Sequence, residues 1–224
     1  MKLTSDLLII NKPVGCTSMD VIRAVRRLTG IKKVGHAGTL DPLATGILLV
    51  CTGKNTKNIS KLTDLPKTYQ AIVNLSAFSE TDDAEGLIAP VNIVKIPTLD
   101  QIKATLENFL GEIEQLPPKY SAIKINGERA YNLARQGKEP ELKVRKITIT
   151  AINLLAYNWP TLEIEVLCSK GTYIRSLARD LGLKLNTGGY LQQLTRTAIG
   201  QYTLVQAQEI DVYPGKKLNL QTKD

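Results

Sequence analysis

Residues Gly35–Gly46 read GHAGTLDPLATG, and this stretch holds three glycines, the chain's single histidine, His36, and an Asp-Pro step at Asp41–Pro42. Glycine reaches backbone angles closed to other residues, so the segment suits a tight loop better than a regular element. Asp before Pro also fits a helix start, with Asp41 as cap and Pro42 in the first turn, which asks no chemistry of the carboxylate.

The flanks of the loop read more simply. On the N-terminal side LLIINKP predicts a strand ended by Pro13, and TSMDVIRAVRRLTG predicts a helix capped by Thr17 or Ser18 and stopped at Gly30. On that helix Ile22, Val25 and Leu28 form the expected inward stripe, leaving Arg23, Arg26 and Arg27 outside. After the loop come a short apolar strand, ILLVCTG, a short helix over NTKNISKLTDL and a strand over KTYQAIVNLSAF.

The acidic run SETDDAEG then interrupts the pattern. Glu80, Asp82, Asp83 and Glu85 lack the position-specific spacing of a calcium loop, so a solvated turn is expected. TLDQIKATLENFLG predicts an amphipathic helix burying Ile102, Leu106, Phe109 and Leu110. YSAIKING and ERAYNLARQGKEP suggest a strand, a tight turn and a short basic helix. The run from Val144 to Tyr157 and TLEIEVLCSKG form an expected antiparallel pair about Asn158, Trp159 and Pro160, and TYIRSLARDLGLKL a closing helix. Strands and helices mix without a βαβ rhythm, which points to an α+β fold with a mixed, largely antiparallel sheet. With no repeat and no Pro/Gly/Ser linker, one domain is the simplest organisation.

Composition narrows the partners. Across 224 residues, 29 Lys and Arg face 21 Asp and Glu, a formal charge of +8 that favours a polyanion, with nucleic acid ahead of an anionic membrane surface. The longest apolar runs fall far short of the roughly twenty residues a spanning helix needs. MKLTSDLLIINKP does not read as a secretory signal, so a cytoplasmic protein is expected. Cys16, Cys51 and Cys168 are widely spaced with no C-x-x-C pair, which argues against zinc or a disulfide framework and places them in the core.

The familiar catalytic motifs are missing. GILLVCTGKNT fails as a phosphate loop because its glycines are too far apart and Asn55 stands where a magnesium-binding hydroxyl belongs. Neither G-x-S-x-G nor H-E-x-x-H occurs. Carboxylates, tyrosines and arginines remain, in GHAGTLDP, KTY and SKGTYIR. Arg175 falls on the flank of its helix beside Ile174, Leu177, Ala178 and Leu181, either exposed or reaching inward to a carboxylate.

Taken together, NKPVGCTSMDVIRAVRR, GHAGTLDPLATGILLVCTGKNTK, KTYQA, PPKYSAIKINGERAYNLARQG and CSKGTYIRSLARDLG closely resemble the TruB family of tRNA pseudouridine synthases, from about Leu8 to near Ala207. The resemblance implies an isomerase that detaches a uridine base in the T-loop of tRNA, at the standard position 55, rotates it and rejoins it through carbon, without cofactor or metal. It makes Asp41 the nucleophile, attacking either the sugar or the ring, and Arg175 its charge partner. Tyr69 would stack on the target base and join in proton transfer. Tyr173 and Leu194 would line the pocket, His36 would support the flipped nucleotide, and Lys12 would belong to the basic surroundings.

The resemblance further implies a catalytic domain over residues 1–212, with residues 117–145 as an insertion closing over the T-arm. Arg23, Arg26, Arg27, Lys32, Lys33, Lys119, Lys124, Arg129, Arg135 and Arg145 become candidate RNA contacts. Residues 213–224 read as a short tail in place of the family's C-terminal PUA-type module, and Thr195 in LTRT replaces one expected arginine. A stand-alone monomer is expected. A tRNA chaperone without catalysis and a guide-RNA-dependent synthase are the competing readings.

Overall fold

The computed structural model describes residues 7–121 and 141–212, with residues 124–125, 128–129, 133 and 136 between them. In β1 (Leu7–Lys12) half-buried and buried positions alternate, and Pro13, which has no N–H for a ladder, ends the strand. Thr17 opens α1 (Ser18–Thr29) with a reciprocal capping box: its hydroxyl accepts from Asp20 N–H, and the Asp20 carboxylate accepts from Thr17 N–H. Gly30, at φ 70°, closes the helix in the left-handed conformation that glycine adopts without penalty.

The chain continues through β2 (Val34–Ala37), β3 (Thr45–Thr52), a 3-10 turn over Gly53–Asn58, and α2 (Ile59–Asp64). Next come β4 (Lys67–Asn74), β5 (Ala77–Ser79), β6 (Ile88–Pro90), α3 (Leu99–Glu107), β7 (Gly111–Gln115), β8 (Lys124–Ile125) and β9 (Glu128–Arg129). Finally come β10 (Arg145–Asn158), β11 (Thr161–Cys168), α4 (Ile174–Leu185), β12 (Tyr190–Ile199), β13 (Tyr202–Thr203) and β14 (Gln208–Glu209). The helix expected after Arg129 and the tail beyond Val212 lie outside the described residues, as do Arg135 and the side chains of Lys124 and Arg129.

These elements form two compact units, residues 1–63 with 201–224, and residues 64–200. In the first, β3 pairs antiparallel with both β1 and β2, while β1 pairs parallel with β14. Helix α1 packs Val21, Ile22 and Val25 against Leu8, Ile10, Leu48 and Val50 of this sheet. In the second unit β12, β4, β11, β10 and β7 follow one another in an antiparallel sheet. The α+β class and the mixed, mostly antiparallel strand pairing hold, with four α-helices among the described residues. None of these helices is long and apolar enough to cross a membrane. Cys16, Cys51 and Cys168 are buried as expected.

Three expectations fail, each for a physical reason. Leu28 is 60% exposed. Stepping by three residues falls about 60° short of a full turn, so a stripe through Ile22 and Val25 has left the buried face two steps on. Leu110 is 45% exposed because α3 ends at Glu107 and helical spacing no longer governs it, although Phe109 stays buried. The acidic loop is not a solvated turn: Asp83 is 2% exposed, and residues 82–84 are laced to β12 by Leu191 N–H donating to Asp82 O and Ala84 N–H to Leu191 O.

Candidate active site

In the first unit the loop between β2 and β3 carries Asp41. No helix follows Pro42, so Asp41 is not a helix cap; instead Ala44 N–H donates to Asp41 O at 3.1 Å, closing a turn with Pro42 at its second position. Both neighbours of Asp41 are fastened. Ser18, buried at the first position of α1, accepts Leu40 N–H at 2.9 Å and donates to Leu40 O at 3.2 Å. Pro42 O accepts Gly15 N–H at 2.8 Å and Lys12 Nζ at 3.4 Å.

Lys12 is fully buried, and its ammonium also donates to Pro13 O at 2.9 Å and Cys16 O at 2.8 Å. A buried ammonium needs acceptors in place of water, and three carbonyls supply them. Lys12 therefore knits the Pro13–Cys16 turn to the Asp41 turn. His36 stands on β2 opposite Val50 and is half-buried, as is Asp41.

In the second unit β4 turns Lys67, Tyr69, Ala71 and Val73 to its buried face. Tyr69 pairs across with Val166 of β11 and Arg196 of β12, and Leu194 pairs with Ala71. Tyr69, Leu194 and Arg196 thus share one sheet face, with Arg196 only 1% exposed. Tyr173 caps α4, where its N–H donates to Gln115 Oε1 at 2.8 Å and its carbonyl accepts Gln115 Nε2 at 3.1 Å.

Arg175 does reach inward. It is 5% exposed, donates to Thr81 O at 3.2 Å and Tyr120 O at 3.1 Å, and lies 3.4 Å from Asp83 Oδ2. Asp83 in turn accepts from Thr81 Oγ1 at 2.5 Å and Glu85 N–H at 3.0 Å, so neither member of this buried pair relies on the other alone. One turn on, Arg179 bonds Asp82 Oδ2 at 2.8 Å. Burial lifts the Asp82 carboxyl above its usual range despite the pull of Arg179 and Arg175.

Asp82, Asp83, Gln115, Ser18, Arg179 and Arg196 escaped the sequence reading. A signal for the aspartates existed in Arg175 and Arg179, four residues apart on one helical flank and in want of counter-charges. Among the described residues no cluster of three or more His, Cys, Asp or Glu is placed to hold a metal ion. The arrangement presents a half-buried carboxylate on a braced turn in one unit, and an aromatic, an apolar side chain and two buried guanidiniums in the other.

Comparison with known proteins places the chain. A family model described as "TruB family pseudouridylate synthase (N terminal domain)" matches residues 26–174. tRNA pseudouridine synthase B of Dehalococcoides mccartyi is 50% identical over 198 residues, covering 88% of this chain and 66% of that protein. The protein of the same name from Phocaeicola vulgatus is 43% identical over 215 residues, covering 93% and 92% respectively. A crystal structure of a Cbf5-Nop10-Gar1 complex matches 88% of this chain and 49% of that chain, with a TM-score of 0.69 and 28% identity. The chain thus spans about two thirds of the first relative and half of the last, and it belongs to the TruB family of pseudouridylate synthases.

Proposed function

We propose that the protein isomerises the T-loop uridine at position 55 of tRNA to pseudouridine, with Asp41 as nucleophile. A carboxylate suits a reversible covalent bond to a sugar or base carbon, since it attacks when ionised and leaves again as a stable anion. The uridine must first leave its stack, at a cost of a few kcal/mol, with His36 bracing the opened loop. Tyr69 stacks on the extruded base, Tyr173 and Leu194 line its pocket, and Arg175 supplies the positive charge that the family sets against the nucleophile. Lys12 holds the Asp41 turn and lends charge near it.

The observation that carries the reading is the bracing of Asp41. With Leu40 tied by Ser18 and Pro42 tied by Gly15 and Lys12, the carboxylate keeps little backbone freedom to lose on reaction. In this proposal residues 1–212 are the catalytic domain, residues 117–145 contact the T-arm, and the enzyme acts as a cytoplasmic monomer without cofactor. The near full-length match to the P. vulgatus protein supports a stand-alone enzyme over a guide-RNA-dependent one.

The test is to incubate the protein with unmodified tRNA and map pseudouridine. Wild type should modify the T-loop uridine, whereas Asp41→Asn should bind tRNA and yield none. A wild-type protein that binds tRNA without making pseudouridine, or a fully active Asp41→Asn, would sink the proposal.

A further inference from the structure

Two arginines one turn apart on α4 grip the same two stretches of chain. Arg175 takes Thr81 O and Tyr120 O and lies against Asp83. Arg179 takes the Asp82 carboxylate at 2.8 Å with one nitrogen and Leu116 O at 2.9 Å with another, and its Nε donates to Asp180 Oδ1 at 3.0 Å. Ser176 Oγ adds a 2.8 Å bond to the same Leu116 carbonyl, and Tyr120 Oη a 2.7 Å bond to Glu80. The loop of residues 80–83 and the strand exit at 116–120 are therefore bound to α4 and to each other.

Arg179 sits at the outer end of this arrangement, its side chain 20% exposed against 6% for Arg175. It is far enough out not to share the innermost contacts, yet it holds both segments on which Arg175 depends. A guanidinium is suited to this, because its planar fork bonds two acceptors at once in a fixed relative geometry. Asp82 reinforces the point: its backbone, at φ 61°, adopts a conformation non-glycine residues rarely take, and its carbonyl is bonded by Leu191 N–H. The loop is held from the strand side by main chain and from the helix side by Arg179.

We propose that Arg179, through Asp82 and Leu116 O, is a positioning residue that fixes the carbonyl and carboxylate partners of Arg175 and so sets the aim of that guanidinium. The inference rests on the reading of Arg175 as part of a pseudouridine-forming site. Loosening Arg179 leaves Arg175 present but held by segments free to shift, and displacements of about 1 Å lower catalysis steeply.

The experiment uses full-length protein and unmodified tRNA, with wild type, Arg179→Gln, Asp82→Asn, the double variant and Arg179→Lys. Single-turnover rates at saturating tRNA are read well below each variant's Tm, beside KM and amide exchange over residues 79–86 and 116–121. The expected result is a rate loss of about tenfold in Arg179→Gln with KM changed less than threefold, and faster exchange in both segments. The double variant should lose no more than Arg179→Gln, because the two side chains act as one unit. Arg179→Lys should recover part of the rate by restoring the charge against Asp82. Wild-type single-turnover rates in Arg179→Gln beside a lowered Tm would overturn the inference, leaving a purely structural residue. Absence of pseudouridine in wild type would instead overturn the functional reading, and unchanged exchange in Arg179→Gln would then overturn the clamp independently.

Discussion

Lys67, the first residue of the KTY motif, is 5% exposed, and its ammonium donates to Leu65 O at 2.6 Å. Burial, reinforced by the Arg196 guanidinium, pushes its pKa down to about 8. In the unfolded chain the group titrates near its ordinary value of about 10.4. Between the two values the unfolded state binds more protons, so wild-type stability should rise with pH across that window and be flat below it. Lys67→Met removes the titration while keeping the stem's bulk. The stability difference, variant minus wild type, should therefore be largest at pH 7 and shrink by about 3 kcal/mol by pH 10.5, at about 1.36 kcal/mol per pH unit. Urea unfolding at pH 7, 8.5 and 10 reads this directly; parallel pH dependences in the two proteins would refute the assignment.

At the scale of elements, α4 shows what sequence patterns carry and what they lose. Its length, its apolar stripe and the inward reach of Arg175 follow from helical spacing, and Ile174, Leu177, Ala178 and Leu181 are all buried. The partner carboxylates were not legible, because SETDDAEG reads as polar turn chemistry until the loop is folded between α4 and β12. The same holds for Gly182, whose place in a helix looks like a mere propensity loss. A Cβ there would lie 2.2 Å from Gly188 O and 2.6 Å from Gly189 N, so the glycine lets α4 touch the turn entering β12. Gly→Ala in a helix interior would ordinarily gain about 1 kcal/mol. Here overpacking against rigid backbone, which costs about 1–3 kcal/mol, should outweigh that gain. Gly182→Ala is expected to lower stability by urea unfolding; a stabilised variant would mean that helix and turn separate freely.

For the molecule as a whole, charge is divided unevenly between the two units. The unit of residues 1–63 and 201–224 has 13 Lys and Arg against 6 Asp and Glu, a net of +7, while residues 64–200 have 16 against 15 and a net of +1. From Val21 to Thr63 the one carboxylate is Asp41, among eight arginines and lysines. Gly53 N–H bonds Lys33 O at 2.8 Å, which brings the exposed Lys32 and Lys33 beside the exposed Lys54 and the turn that leads to Lys61. The overall excess of +8 was plain in the composition, but its confinement to one unit depends on how the chain partitions in space. With tRNA as the partner, each neutralised phosphate contributes about −0.7 to −0.9 to the slope of log affinity against log salt. Replacing Lys32, Lys33, Lys54 and Lys61 by Glu should flatten that slope by roughly two to three. The same four-charge change at Lys95, Lys103, Lys146 and Lys184 of the near-neutral unit should leave it within about one. Filter binding of unmodified tRNA over a salt series measures both slopes, and equal flattening in the two sets would show that RNA is held by net charge rather than by the basic unit.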